Sequence, residues 1–347
     1  MKTNNTFRLS LLSFSFFLMF YSGKNYAALN PIAEAVKKKH ELKIVFPAYN
    51  LFKNTNTNVN ENIRKALTSG TSADIIPEKL YELVHLAPPV VNINLPFNGK
   101  TLSVDLVSVS FFTENFSILT SDHKAVSYTP GVYYRGTIKG NPNSIAAFSF
   151  FNDELYGVVS DVENGNIIVG KFLTPGNTSR YIIYSDKNLL HPIPNYCKTV
   201  LNPGSTLKIN GSTLSNTVAS TLKCARFYYE IDNNIFLDNN SNVTNTTNWI
   251  TAVHNNVSAL YSNDNISVSL SQIYIWTTSD PYIGLDEIEQ LALFHTNRPS
   301  FTGDVGQLVS RDGGYYGIAD TVNGLCTSLN YSYTDVEFEF LAIPTYS

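Results

Sequence analysis

Charge is scarce in this chain. Asp, Glu, Lys and Arg make up 15% of its 347 residues, against roughly a quarter in an average soluble protein. The formal net charge is −4, so the basic footprint of a nucleic-acid binder is missing. Cysteines number three, too few for a disulfide-stapled mini-protein. The six histidines never fall within one helical turn of each other, which excludes a local metal pair on one helix. No HExxH, CxxC, HxH, GxSxG, GxGxxG or Walker A pattern occurs, so no short motif delivers a complete active site. Beyond the first 30 residues no apolar run approaches the ~18 residues of a membrane span.

What is present begins with a targeting segment. Lys2 and Arg8 precede an apolar stretch, residues 9–21 (LSLLSFSFFLMFY), and small residues follow at Ala27 and Ala28. That layout is a secretory signal peptide, expected to be residues 1–27 and removed after Ala27; the stretch is too short for a membrane anchor. The mature chain is therefore expected to be secreted, with no membrane or nucleic-acid partner. Hydrophobic residues are 43% and aromatics 13%, enough for folded cores and too much for extended disorder.

Periodicity divides the rest. Residues 32–39 read as a short amphipathic helix, and residues 54–62 as a polar loop. From Val90 the period becomes two: Ile93 and Leu95 alternate with Asn92 and Asn94, and Asn98-Gly99 signals a tight hairpin. Short strands are expected at residues 133–138, 145–151, 155–159, 167–169 and 181–184, separated by turn residues. This predicts a β-rich, antiparallel sandwich-like or barrel-like domain, residues 28–197. Residues 198–223 are rich in Ser, Thr, Asn and Gly without an aromatic, and read as a linker. After it, strands at residues 227–231, 266–276, 305–309, 315–319 and 336–343 alternate with two helical stripes, Trp249/Ile250/Val253/Val257/Leu260 and Leu285/Ile288/Leu291/Ala292. That order predicts an α/β domain, residues 224–347.

Three segments then carry a resemblance: Asp304-Val305-Gly306-Gln307-Leu308, Gly317-Ile318-Ala319 and Gly324-Leu325-Cys326. In that order and spacing the second domain resembles the catalytic domain of the reprolysin-like (adamalysin-type) zinc metallopeptidases of the metzincin group. Tyr134-Arg135-Gly136, Asn143-Ser144-Ile145-Ala146 and Leu155-Tyr156-Gly157-Val158 make the first domain look like the matching propeptide. The resemblance implies a secreted zinc metalloendopeptidase precursor acting on a protein or peptide substrate, with propeptide and catalytic domain in contact. It implies that Gly317, Ile318 and Ala319 form the substrate-binding edge strand. It also implies a possible cysteine switch at Cys197, a disulfide from Cys326 to a region not present, and zinc in the full-length protein. The zinc helix would follow the strand at 336–343, beyond Ser347. The metzincin-like domain is therefore expected to be incomplete, with no catalytic residue, no bound metal and no activity in these residues. Two alternatives stay open: a Cys197–Cys224 disulfide in place of the switch, and a secreted β-rich binding or adhesion protein on a degenerate protease scaffold.

Overall fold

A computed structural model describes residues 30–56, 63–174, 176–190, 196–197, 223–311, 316–322, 324–325, 327–336, 339–340 and 343–344. The expected signal peptide, residues 198–222 of the expected linker, and Cys326 lie outside them.

The first half opens with helix α1, Pro31–Glu41. Asn30 caps it by accepting from the Ala33 N–H at 2.7 Å, and Pro31 fills its first turn. Strands β1 (Ala48–Tyr49), β2 (Phe52–Asn56) and β3 (Thr71–Ile75) follow, then helix α2 (Pro77–Leu86). Strands β4 (Val90–Phe97) and β5 (Lys100–Val109) form the expected hairpin, in which Asn98 and Gly99 both take positive φ, 50° and 74°. Then come β6 (Phe112–Thr120), β7 (Val132–Ile138), β8 (Ile145–Phe150), β9 (Leu155–Asp161), β10 (Gly165–Lys171), β11 (Arg180–Ser185) and the short β12 (Tyr196–Cys197).

Ten of these strands make one sheet in the order β1-β4-β5-β7-β8-β9-β10-β11-β3-β2, antiparallel except at the β1–β4 pair. It curls until β11 and β3 approach β4. Inside the curl Tyr134, Phe148, Phe150, Tyr181 and Ile183 pack with Leu80 and Leu83 of α2. The barrel-like, β-rich reading of this half agrees with that curled sheet. Helix α2 escaped the sequence reading because its apolar face is short and its core contacts come from distant strands.

Asn92 is one of the polar residues that alternate with Ile93 and Leu95. It is buried, donating to Asp105 at 2.7 Å, and Asp105 also meets His40 of α1 at 3.0 Å. Helix α1 covers that side of the sheet, so the polar side of the alternation is not a wet face there.

The second half contributes β13 (Lys223–Ile231), α3 (Asn233–Asp238), α4 (Val243–Asn263), β14 (Ile266–Ile275), α5 (Glu287–Asn297), β15 (Val305–Ser310), β16 (Tyr316–Ala319) and β17 (Tyr331–Asp335). Their sheet has the order β12-β16-β17-β15-β13-β14-β6. Its neighbouring strands pair in parallel except at β16–β17, so β12 and β16 run opposite to the other five. Alternate residues of β13 serve opposite faces. Phe227, Tyr229 and Ile231 pack with Trp249 and Ile250 of α4, whereas Tyr228 packs with Leu291 and Phe294 of α5. Asp286 starts α5 with a reciprocal capping box to Glu289.

Two expectations are corrected. The last long strand lies at Tyr331–Asp335, because Tyr331 and Tyr333 are the alternate residues that bury against α5. Of the expected 336–343 strand, residues 337–338 and 341–342 lie outside the described residues, and 339–340 and 343–344 pair with each other as β18 (Glu339–Phe340) and β19 (Ile343–Pro344). The apolar stripe of α4 is also incomplete. Leu260 is exposed, whereas Thr251, His254, Asn255 and Ser258 are buried, because α4 lies between its own sheet and the ten-stranded one.

Candidate functional site

Of the residues singled out by sequence, Cys197, Gly317, Ile318 and Ala319 meet at one edge of the seven-stranded sheet, and Cys326 lies outside the described residues. Gly317, Ile318 and Ala319 lie in β16, opposite Thr334, Tyr333 and Ser332 of β17. Ile318 packs against the aromatic layer of Tyr331, Tyr333 and Phe294. A side chain at Gly317 would meet only ordinary contacts, Thr334 Oγ1 at 3.8 Å and the Tyr333 carbonyl at 3.9 Å, so packing alone does not demand a glycine here. Directly after the strand, Asp320 comes within 3.1 Å of His295 Nδ1 on α5. Burial raises the Asp320 carboxyl, and the facing His295 works against that rise. The His295 ring stacks on Tyr331 with centroids 4.1 Å apart, fixing the end of β16 to both neighbours.

The other side of β16 is taken by β12. The two run parallel, with Tyr196 opposite Tyr316 and Cys197 opposite Gly317. The segment carrying Cys197 is thus an added strand on the sheet edge, the position an extended peptide takes when it augments a sheet. Among the described residues its pairing covers Tyr316 and Gly317.

The same register decides against a Cys197–Cys224 disulfide. Cys224 sits on β13, four strand spacings from β12. At about 4.8 Å per spacing the cysteines are roughly 19 Å apart, whereas a disulfide needs Cα atoms within ~7 Å. Cys224 is an exposed free thiol.

Behind the edge, the sheet is braced by a buried carboxylate that the sequence reading missed. Glu230 is fully buried and accepts from Tyr228 Oη (2.9 Å), Trp276 Nε1 (2.8 Å), Tyr282 Oη (2.8 Å) and Arg298 Nε (2.5 Å). Burial opposes the Arg298 charge, and the facing Glu230 outweighs that and holds the guanidinium firmly protonated. The sequence did carry a signal, a lone acid within the apolar run Phe227–Ile231, since such a residue is buried only when partnered. One residue beyond β13, Asp232 caps α3 through the Ile235 N–H (2.8 Å) and accepts from Ser310 Oγ and the Arg311 N–H, both at 2.8 Å. Burial pushes its carboxyl up to about 7 against those hydrogen bonds.

Among the described residues no three His, Cys, Asp or Glu come together as a metal site. The described residues therefore do not fit a catalytic zinc.

No family model matches the chain. In sequence it is 24% identical over 235 residues to the mouse disintegrin and metalloproteinase domain-containing protein 32, a match covering 62% of this chain and 29% of that one. Among solved structures, metalloproteinase-II from Bacteroides fragilis aligns over 77% of this chain and 89% of its own, at 12% identity and a TM-score of 0.40, too slight a likeness to carry an argument. The chain is thus a β-rich protein with a distant metalloproteinase-like relationship. It spans under a third of the curated relative it matches.

Proposed function

We propose that this chain is the latent, propeptide-bearing part of a secreted zinc metalloendopeptidase. In this reading the second half supplies the peptide-binding sheet edge, and the first half keeps that edge filled. The observation that carries it is the backbone pairing of Cys197 with Gly317. The one propeptide segment with a metal-ligating thiol lies on the strand that the sequence reading assigned to substrate. An extended substrate would use the same main-chain groups of β16, so β12 and substrate exclude one another there. Cys197 is the proposed switch residue, a thiolate being a good zinc ligand. The alternative of a secreted binding protein on a dead protease scaffold has no comparable observation in its favour.

The 347 residues hold no HExxH motif, so the test begins with the reading frame. The frame downstream of codon 347 is sequenced and the whole product expressed. The expected result is an in-frame HExxHxxGxxH, with chelator-sensitive peptide cleavage that appears once the Cys197 segment is cleared from β16. A stop codon with no such motif, in a frame verified on the transcript, sinks the proposal.

A further inference from the structure

We infer that the two halves of this chain form a pair that survives cutting of the connection between them, so that the first half is a resident subunit and not a shed leader. The second half contributes five strands to its sheet, and both outer members of that sheet come from the first half. At one end is β12. At the other, β6 leaves its neighbours β5 and β7, which pair directly with each other, and lies parallel to β14, with Ile118 opposite Ile273 and Thr120 opposite Ile275.

The apolar core between the halves is one body. Phe111, Ile118, Tyr133 and Phe151 of the first half pack in a single cluster with Phe227, Tyr229, Trp249 and Leu270 of the second. Buried polar groups add register to it. Asn255 on α4 donates to the Phe148 carbonyl (3.0 Å) and Ser149 Oγ (3.2 Å) and accepts from Arg135 Nε (3.0 Å). Tyr133 Oη bonds Thr251 Oγ1 at 3.0 Å, and Gln272 Nε2 donates to Ser117 Oγ at 2.9 Å. None of these contacts uses residues 198–222. Separation would bare an apolar core and strand edges and leave polar groups of α4 unpaired. A fully formed interface of this kind holds below about 1 µM. A single cut in the connection therefore leaves β12 on the substrate edge, and clearing that edge requires a second event within the first half.

The inference rests on packing alone and not on the peptidase reading, which the reading frame tests separately. A recognition site for a sequence-specific protease is placed within residues 198–222 of the full chain. The purified protein is cut to completion and run on a calibrated sizing column at 1–5 µM. Co-elution of both pieces at the size of the uncut chain is expected. Separate elution, or loss of the second piece to aggregate while the first elutes alone, overturns the inference. Asn255→Ala, cut in the same way, should weaken the pair by about 100-fold. If that variant fails to fold before cutting, Gln272→Ala replaces it, with about fivefold expected. A cut pair indifferent to the variant tested also overturns the assignment of this interface.

Discussion

His254 offers the sharpest quantitative test of the packing between the halves. The ring is fully buried on α4. Phe111 lies 4.9 Å and Phe227 5.8 Å away, centroid to centroid, and the Tyr229 hydroxyl is 3.1 Å from Nδ1. Burial, aided by the positive Arg135 nearby, lowers its pKa from 6.5 to about 3. In the unfolded chain the imidazole regains its ordinary value. Between pH 6.5 and 3 the unfolded state thus binds one proton that the native state does not, and native stability falls as the pH falls. The slope is about 1.4 kcal/mol per pH unit, or about 3 kcal/mol between pH 7 and pH 4. The perturbation is His254→Gln, which keeps a polar group for Tyr229 without the titration. Urea unfolding of both proteins at half-unit steps from pH 4 to 7 gives two stability curves. Their difference isolates this side chain, because other titrating groups are common to both. The variant should be less pH-sensitive by about one proton. Curves that stay parallel would refute the claim that a neutral imidazole is sealed in this core.

Glu230→Gln should cost ~3–5 kcal/mol in urea unfolding, because it leaves Arg298 without its charge partner and turns an amide toward two of the four donors; a loss under 1 kcal/mol would show that the cluster is not a brace. At Asp232 the pH dependence has the opposite sign. The native carboxyl keeps its proton up to about pH 7, the unfolded one only to about 4, so this group's contribution is lost as the pH rises through that window. Asp232→Asn should flatten that fall, and an unchanged slope in urea unfolding counts against it. Two glycines should part company in thermal melts. A methyl at Gly136 would sit 1.9 Å from the Asp105 carbonyl oxygen, so Gly136→Ala should break the β5–β7 pairing and fail to fold cooperatively. Gly317→Ala should melt within a few degrees of the parent, and equal behaviour of the two would contradict the strand packing described.

Several elements could be read directly from local order. The Asn98-Gly99 turn needs two residues at positive φ, and that dipeptide supplies them. Helix α5 carries its own start signal in Asp286 and Glu289, and β7 to β11 are short apolar runs between turn residues. The strand at residues 315–319 was read from its own run, and the edge position of Gly317-Ile318-Ala319 was what the family resemblance implied. The buried polar face of α4 was not legible. Asn255 and Thr251 look solvated on a helical wheel, and only a second sheet on that side turns them inward. Glu230 could be suspected, but its four donors come from β13, the residue just after β14, the loop beyond it and the residue following α5, which no local pattern links.

The sequence by itself determined the segments: where helices cap, where hairpins turn, and which stretch bears the resemblance to a metallopeptidase edge strand. These depend on interactions within a few residues, which composition and period encode. Only the tertiary structure decided which chain segments border which sheet. The departure of Phe112–Thr120 to the far sheet and the pairing of Cys197 with Gly317 join residues more than 100 positions apart. The free energy of such pairing comes from surfaces that exist only once both halves have folded.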